Sequence, residues 1–169
     1  MVFVLSRAVS LFFLRVFLCL CVPVPLFSRQ SCRSVKAFSG AHGILRHRFD
    51  VELVECPKTN NSWQVIVGVV PPAFTCSGNK QWVGAAESWG YIGGTGGKCF
   101  NVPKSIDYGE KFGRAGDVIS VLLDFGTGTI EFLRNGVSQG VAFTNLSGTV
   151  YAAVSLTATG ATARLSIQQ

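Results

Sequence analysis

Charged residues are scarce in this chain of 169 residues, since Asp, Glu, Lys and Arg together make up 14% of it. None of the first 36 residues is acidic, although five of the 15 basic residues lie there, so the rest of the chain carries 10 basic residues against 9 acidic ones. Nucleic-acid binding needs Lys and Arg gathered on a folded surface. The sequence therefore predicts no nucleic-acid partner.

The sequence also lacks the motifs of several common sites. It has six cysteines but no C-x-x-C pair, which zinc sites and thioredoxin-like proteins use. The glycine-rich stretch 93–97 is followed by Lys98 and Cys99, whereas a phosphate-binding loop has Ser or Thr after the lysine. Scattered cysteines in a domain of this size are more typical of buried, reduced thiols than of disulfides. We therefore expect no catalytic residue, no cofactor and no metal.

Residues 8–27 form a long apolar run whose only charge is Arg15. A helix of that length can span a bilayer, although Arg15 and the prolines at 23 and 25 oppose insertion. The layout also matches a signal peptide, although no small-residue cleavage site follows it. We interpret residues 1–30 as a hydrophobic leader that is a cleaved signal, an uncleaved membrane anchor or a spurious extension. A membrane partner is expected only for the anchor.

The body of the chain has the pattern of many short strands. Residues 49–54 alternate between apolar and polar, which indicates a strand with one buried face. Residues 63–70 are rich in β-branched and aromatic side chains, and 117–125 are typical of a central strand covered on both sides. Asn135-Gly136 predicts a tight hairpin turn. About nine or ten such strands separated by turn signals predict an antiparallel sandwich or barrel.

Three stretches taken together resemble the SPRY domain. They are ESWGYIGGTGGKCF at 87–100, YGEKFGRAGDVISVLLDFGTGTIEFLRNG at 108–136 and VAFTNLSGTVYAAVSL at 141–156. Upstream, GILRHRFDVEL at 43–53 is similar to the strand that precedes them in the family. The order and spacing of all these stretches agree with the family. The resemblance extends over about residues 34–167 of the chain.

The resemblance implies an all-β fold, a twisted antiparallel two-sheet β-sandwich of the concanavalin A type, at 31–169. The first strand or two of the family is not recognisable, because the leader occupies its place. SPRY domains are found mostly inside cells, which favours an intracellular location, whereas the leader favours a membrane or secretory one. The family implies a noncatalytic adaptor that recognises a protein or peptide segment through loops at one end of the sandwich. The partner-binding residues implied in those loops are Gln81, Trp82, Thr157, Ala158 and Thr159.

A secreted or luminal carbohydrate-binding sandwich, similar to a lectin, is the alternative function. The leader and the glycosylation sequons at Asn60 and Asn145 would favour it. A pair of catalytic carboxylates is not expected, because Asp117 and Asp124 lie at opposite ends of one predicted strand. We expect each of these two carboxylates to bond to turn amides instead.

The three tryptophans are expected to have different roles. Trp63 opens an apolar strand and Trp89 lies in the family motif, so both are expected in the core. Trp82 follows a loop, and it is the tryptophan that we expect to contact a partner, because large aromatic side chains often anchor interfaces.

Overall fold

The computed structural model describes residues 15–20, 30–76, 81–101 and 103–168, and these residues form antiparallel strands with a single 3₁₀ turn at Ala41–Gly43. The strands are β1 Arg15–Leu20, β2 Gln30–Phe38, β3 Arg46–Glu55, β4 Val65–Val70, β5 Trp89–Ile92, β6 Lys98–Phe100, β7 Val118–Asp124, β8 Thr129–Arg134, β9 Val137–Phe143, β10 Val150–Leu156 and β11 Thr162–Ile167. Within those described ranges, no helix has the length and apolar character needed to cross a bilayer.

The strands are arranged in two sheets. The six-stranded sheet has the order β1-β11-β3-β7-β8-β9, and the five-stranded sheet has the order β2-β10-β4-β5-β6. Every neighbouring pair of strands is antiparallel. The predicted all-β, two-sheet antiparallel sandwich is therefore confirmed.

The core lies between the two sheets and follows from the alternation of apolar residues along the strands. Phe49, Val51 and Leu53 of β3 are fully buried, whereas the residues between them are partly exposed. This is the two-residue period of a strand with one face in the core. The largest fully buried side chains are Tyr91, Phe38, Phe49, Phe132, Leu53, Ile66, Ile92, Ile119, Leu123, Ile130, Leu156 and Val51.

Strand β4 is buried on both faces for a different reason on each side. Val65, Val67 and Val69 face the inter-sheet core. Ile66 and Val70 belong to a second apolar cluster on the outside of the five-stranded sheet, together with Phe74, Val83, Ile92, Cys99 and Ala153. Phe74 and Val83 come from the long segment between β4 and β5. The described residues of that segment, 71–76 and 81–88, therefore include side chains that pack over the outer face of the sheet.

The turns follow the predicted chemistry. Asn135 and Gly136 have φ values of 49° and 82°, the left-handed conformation that a tight hairpin requires. The carboxylate of Asp124 accepts the backbone N–H groups of Gly126 and Thr127 at 2.8 and 3.1 Å. The expectation that this carboxylate bonds to turn amides is confirmed.

Strand β7 is central in its sheet, as predicted, since it lies between β3 and β8. Its outer face is covered less than the sequence suggested. Ser120 is buried, and the Arg48 guanidinium of β3 donates to its hydroxyl at 3.0 Å. Leu122 on the same face is only half-buried. Long neighbouring side chains rather than a further layer of structure therefore cover Ser120.

Two strands precede the segment that the sequence patterns identified. Strand β2 forms an edge of the five-stranded sheet and pairs with β10. Strand β1 pairs with β11 along the edge of the other sheet, and it lies inside the residues that we interpret as a leader. The described backbone thus includes a paired strand at 15–20. The assignment of residues 1–30 to a leader stays a prediction.

Candidate functional site

Four segments of the described chain lie together at one end of the sandwich. They are the β3–β4 loop at 56–64, residues 81–82 of the β4–β5 segment, the β5–β6 turn at 93–97 and the β10–β11 loop at 157–161. Strand pairing brings them together. Leu156, which ends β10, lies opposite Val65, which begins β4. Ile92, which ends β5, lies opposite Ile66. We call these four segments the end surface.

The β3–β4 loop is held in a compact turn by its own side chains. Asn61 Oδ1 accepts the Trp63 backbone N–H at 2.9 Å, and the Asn61 carbonyl accepts the Gln64 N–H at 3.1 Å. Thr59 Oγ1 donates to Gln64 Oε1 at 2.5 Å and accepts the Asn61 N–H at 3.2 Å. Asn and Thr stabilise turns by bonding to nearby backbone in this way. These bonds restrict the conformations that the loop can adopt.

The β10–β11 loop is bonded to this turn. The backbone N–H and the hydroxyl of Thr157 both donate to the Gln64 carbonyl, at 3.0 and 3.3 Å. Asn61 Nδ2 donates to Thr157 Oγ1 at 3.4 Å. Thr159 is exposed at the tip of the loop. Ala158 is only 4% exposed and packs into the inter-sheet core, so its side chain offers no contact to a partner.

Two tryptophans pack against each other at the side of the end surface. The rings of Trp63 and Trp82 lie edge to face, with centroids 5.3 Å apart and an interplanar angle of 87°. Both are half-buried against the second apolar cluster. Trp63 therefore does not lie in the inter-sheet core, because it precedes β4 in the turn instead of opening the strand. Trp89 is 6% exposed in the core, as expected, and its indole N–H donates to Asn145 Oδ1 at 2.9 Å.

Gln81 stabilises the β4–β5 segment through hydrogen bonds to Thr75 and Ser31. Its side-chain oxygen accepts the backbone N–H and the hydroxyl of Thr75, at 2.7 and 3.0 Å. Its carbonyl accepts the Ser31 hydroxyl at 3.2 Å, and that hydroxyl shares a 2.7 Å hydrogen bond with Ser155. The oxygen of the Gln81 side chain is thus already hydrogen-bonded to a residue of the same chain. Because Gln81 precedes Trp82 in the chain, these hydrogen bonds also restrain the backbone next to Trp82.

The β5–β6 turn is closely packed, although it consists mainly of glycines. A Cβ atom at Gly93 would lie 2.7 Å from the Phe112 carbonyl oxygen, and one at Gly94 would lie 2.7 Å from the Ser62 Cα. Such separations are too short for any side chain. The glycines therefore allow the backbone of this turn to touch its neighbours, including the β3–β4 loop at Ser62.

The structure places the predicted residues at one end of the sandwich, although in different roles. Trp82 and Thr159 present surface, Thr157 and Gln81 hold the loops, and Ala158 is buried. The sequence interpretation missed the 59–64 turn that connects them. Its signal was present as Asn60-Asn61-Ser62, because consecutive Asn and Ser residues favour turns.

The environments of Cys56 and Ser138 do not favour nucleophilic reactivity. Burial, and then the negative charge of Asp117, raise the pKa of the Cys56 thiol, which keeps it protonated and weakly nucleophilic. Residues 136–140, GVSQG, have the G-x-S-x-G spacing of a nucleophile elbow, which requires a strand-to-helix turn. Here Ser138 lies in β9, and its hydroxyl donates to Glu131 Oε1 at 2.5 Å.

A groove of about 890 Å³ lies at the opposite end of the sandwich. Its charged lining residues are Lys36, Arg46, Arg48, Asp124 and Glu131. Arg46 pairs with Asp124 at 2.8 Å, and Arg48 pairs with Asp50 at 3.1 Å. The groove is therefore lined by several charged groups, whereas the four segments of the end surface present mainly tryptophan, amide and hydroxyl groups.

Comparison with known proteins gives a consistent result. The model of the SPRY domain family matches residues 46–169. The crystal structure of a human SPRY domain is similar, with a TM-score of 0.67 and 19% identity, over 82% of this chain and 84% of that chain. The SPRY domain of human HERC1 gives a TM-score of 0.63 and 17% identity, over 84% of this chain and 83% of that one. At these identities the two structures show the shared fold.

Proposed function

This chain belongs to the SPRY domain family, whose members are generally protein-interaction modules, and we propose that it binds a segment of another protein through the end surface. The observation that carries this proposal is the bonded connection between loops that are distant in sequence. Asn61 contacts Thr157 across 96 residues, and Trp63 packs on Trp82. Loops positioned by a rigid sheet scaffold are where binding residues concentrate.

Preorganisation supports the proposal energetically. A loop that is already ordered loses little conformational entropy when it binds, so more of the contact free energy appears as affinity. The half-buried tryptophans add large, rigid apolar area at the edge of this surface. Aromatic side chains of this kind are frequent interface anchors. No catalytic step is part of the proposal, and binding alone is the expected activity.

The test compares two matched substitutions on the intact chain. Thr159 at the end surface and Thr144 at the opposite end are both exposed threonines. We expect Thr159→Arg to weaken binding of a display-selected peptide by at least about tenfold, because one clash or unpaired charge at an interface costs more than about 1.4 kcal/mol. Thr144→Arg should change affinity by less than about twofold, and both variants should keep the wild-type circular dichroism spectrum.

Three results would contradict the proposal. Loss of binding with Thr144→Arg, and not with Thr159→Arg, would place the site at the opposite end of the sandwich instead. Failure of the chain to retain any peptide would argue against a peptide-binding surface. Selective binding of glycans by the wild-type chain, lost with Thr159→Arg, would establish the carbohydrate-binding alternative.

A further inference from the structure

The end surface is depleted of charge. In the described residues of its four segments, Lys58 is the only charged side chain. The neighbouring described residues 71–76 of the β4–β5 segment add no charged side chain either. Further charges begin at the margin, with the exposed Glu55 at the end of β3 and the exposed Lys111 and Arg114 beside the β5–β6 turn. This distribution matches a protein interface with an uncharged centre and a polar rim.

The polar groups of the surface mostly bond to one another. Asn61, Gln64 and Thr157 form one network, and the Gln81 side chain is bonded to Thr75. Away from Lys58, a carboxylate or ammonium group of a partner would lose water on this surface without gaining an opposite charge. Burying a charge without an opposite charge or hydrogen-bond partners is strongly unfavourable. The surface therefore selects against charged partner side chains.

The opposite end of the sandwich has the contrary character. Arg46 is 85% exposed beside Asp124, and Lys36 and Arg48 line the same groove. A charged ligand would find complementary groups there. The described residues of the end surface offer one such group, Lys58, so a partner of this surface is distinguished by its lack of charge.

We propose that the end surface takes an uncharged stretch of polypeptide that packs one apolar side chain against Trp63 and Trp82. This inference rests on the proposed function and specifies the chemistry of its partner. Because few charges take part, the affinity depends little on ionic strength, and electrostatic steering adds little to the association rate. Apolar burial at the tryptophan pair supplies the main driving force.

The test uses the full chain and a random display library of peptides about 12 residues long. Retained peptides are synthesised and titrated at about 50 and about 500 mM NaCl, where screening lengths differ about threefold. We expect peptides depleted of Asp, Glu, Lys and Arg, with a dissociation constant that changes less than about twofold between the two salt concentrations.

Two substitutions of opposite charge at Thr159 distinguish the possible results. For an uncharged partner, Thr159→Arg and Thr159→Glu should weaken binding to a similar extent, because each presents an unmatched charge. If Thr159→Arg strengthens binding while Thr159→Glu weakens it, or if affinity falls more than about tenfold in high salt, the partner is acidic and the inference is wrong. The proposed function would still stand in that case. If neither Thr159 variant affects binding while Thr144→Arg does, both proposals fail.

Discussion

At the scale of single residues, Asp117 is the most extensively bonded carboxylate in the described structure. Its Oδ2 accepts the backbone N–H groups of Gly113 and Arg114, at 2.8 and 2.9 Å. Its Oδ1 accepts Asn135 Nδ2 at 3.1 Å and lies 3.7 Å from the Arg134 guanidinium. Burial alone would raise the pKa of Asp117, but these hydrogen bonds and the arginine lower it overall. The carboxylate joins the loop before β7 to the β8–β9 hairpin.

This bonding predicts a stability that depends on acidity. The folded protein holds Asp117 ionised to a lower pH than the unfolded chain does, so the stabilisation is present above pH about 4 and is lost as the pH falls through the lowered value. We expect Asp117→Asn to lower the free energy of unfolding at pH 7 by about 1–3 kcal/mol, because its amide would face two other donors. Urea denaturation at pH 7 and pH 3 should show this deficit shrinking in acid. An equal deficit at both values would contradict the assignment.

The Tyr108 hydroxyl bridges two backbone groups where the β8–β9 pairing is irregular. The pairing register shifts on either side of Glu131, which leaves the strands out of step near Phe132. The Phe132 backbone N–H donates to the Tyr108 hydroxyl at 3.2 Å, and that hydroxyl donates to the Gly140 carbonyl at 2.5 Å. The phenol thus replaces a hydrogen bond that the β-bulge removes.

Removal of that hydroxyl should leave two backbone groups without their partner. We expect Tyr108→Phe to cost about 1–3 kcal/mol of unfolding free energy, measured by urea denaturation at pH 7. Burial raises the pKa of Tyr108 to about 12, so its stabilisation holds below pH 10 and is lost as the pH rises through about 12. The variant should therefore lose less stability than the wild type between those values. If the variant is as stable as the wild type at pH 7, the bridge contributes nothing.

At this scale the sequence predicts local chemistry better than packing. The roles of Asp124 and Asn135 could be predicted because a turn uses residues that are close in sequence. The position of Trp63 could not, since its neighbour Trp82 comes from a distant loop. Ala158 was predicted to contact a partner, but its side chain packs in the core.

At the scale of elements, the β5–β6 turn positions the β3–β4 loop. A Cβ atom at Gly94 would lie 2.7 Å from the Cα of Ser62 and 2.8 Å from its carbonyl carbon. Backbone atoms cannot move aside as the end of a flexible side chain can. We expect Gly94→Ala to displace the 59–64 turn, to cost about 1–3 kcal/mol of stability and to weaken peptide binding at the end surface. Peptide titration and thermal unfolding measure the two effects.

Gly126→Ala is the matched control for this glycine. The atoms nearest to its Cβ belong to the side chains of Asp124 and Leu45, at 3.1 and 3.3 Å, and it lies at the opposite end of the sandwich. It should leave peptide affinity unchanged. Equal loss of affinity in both variants would show that the Gly94 effect is a general loss of stability.

Strands were the elements that the sequence predicted best. Alternation at 49–54 predicted the middle of β3, and β-branched composition at 63–70 predicted β4, because both signals are local. The sequence did not show why both faces of β4 are buried. It depends on the β4–β5 segment folding over the sheet, which involves contacts between residues far apart in the chain. Strand β2 was missed because its buried and exposed residues do not alternate strictly.

At the scale of the whole molecule, the two sheets depend on their edge strands. Strand β1 pairs with β11 over six residue pairs, from Arg15 opposite Ile167 to Leu20 opposite Thr162. Strand β11 also pairs with β3 on its other side, so it belongs to the sheet without β1. An edge strand without a partner exposes a row of backbone N–H and carbonyl groups that can pair with another chain. Strand β1 thus covers the edge of β11, whether or not the N-terminal segment is also a targeting signal.

This arrangement predicts the behaviour of residues 31–169 expressed alone. We expect this fragment to fold, because the described inter-sheet core lies in residues after 30, but to melt at a lower temperature and to self-associate along the exposed edge of β11. Thermal unfolding and size-exclusion chromatography at increasing concentration measure both effects. Ser166→Lys in the fragment places a charge on β11 and should reduce the self-association. A monomeric fragment as stable as the full chain would show that β1 adds nothing to the sandwich and would favour the leader interpretation, whereas an unfolded fragment would make the N-terminal strand part of the domain.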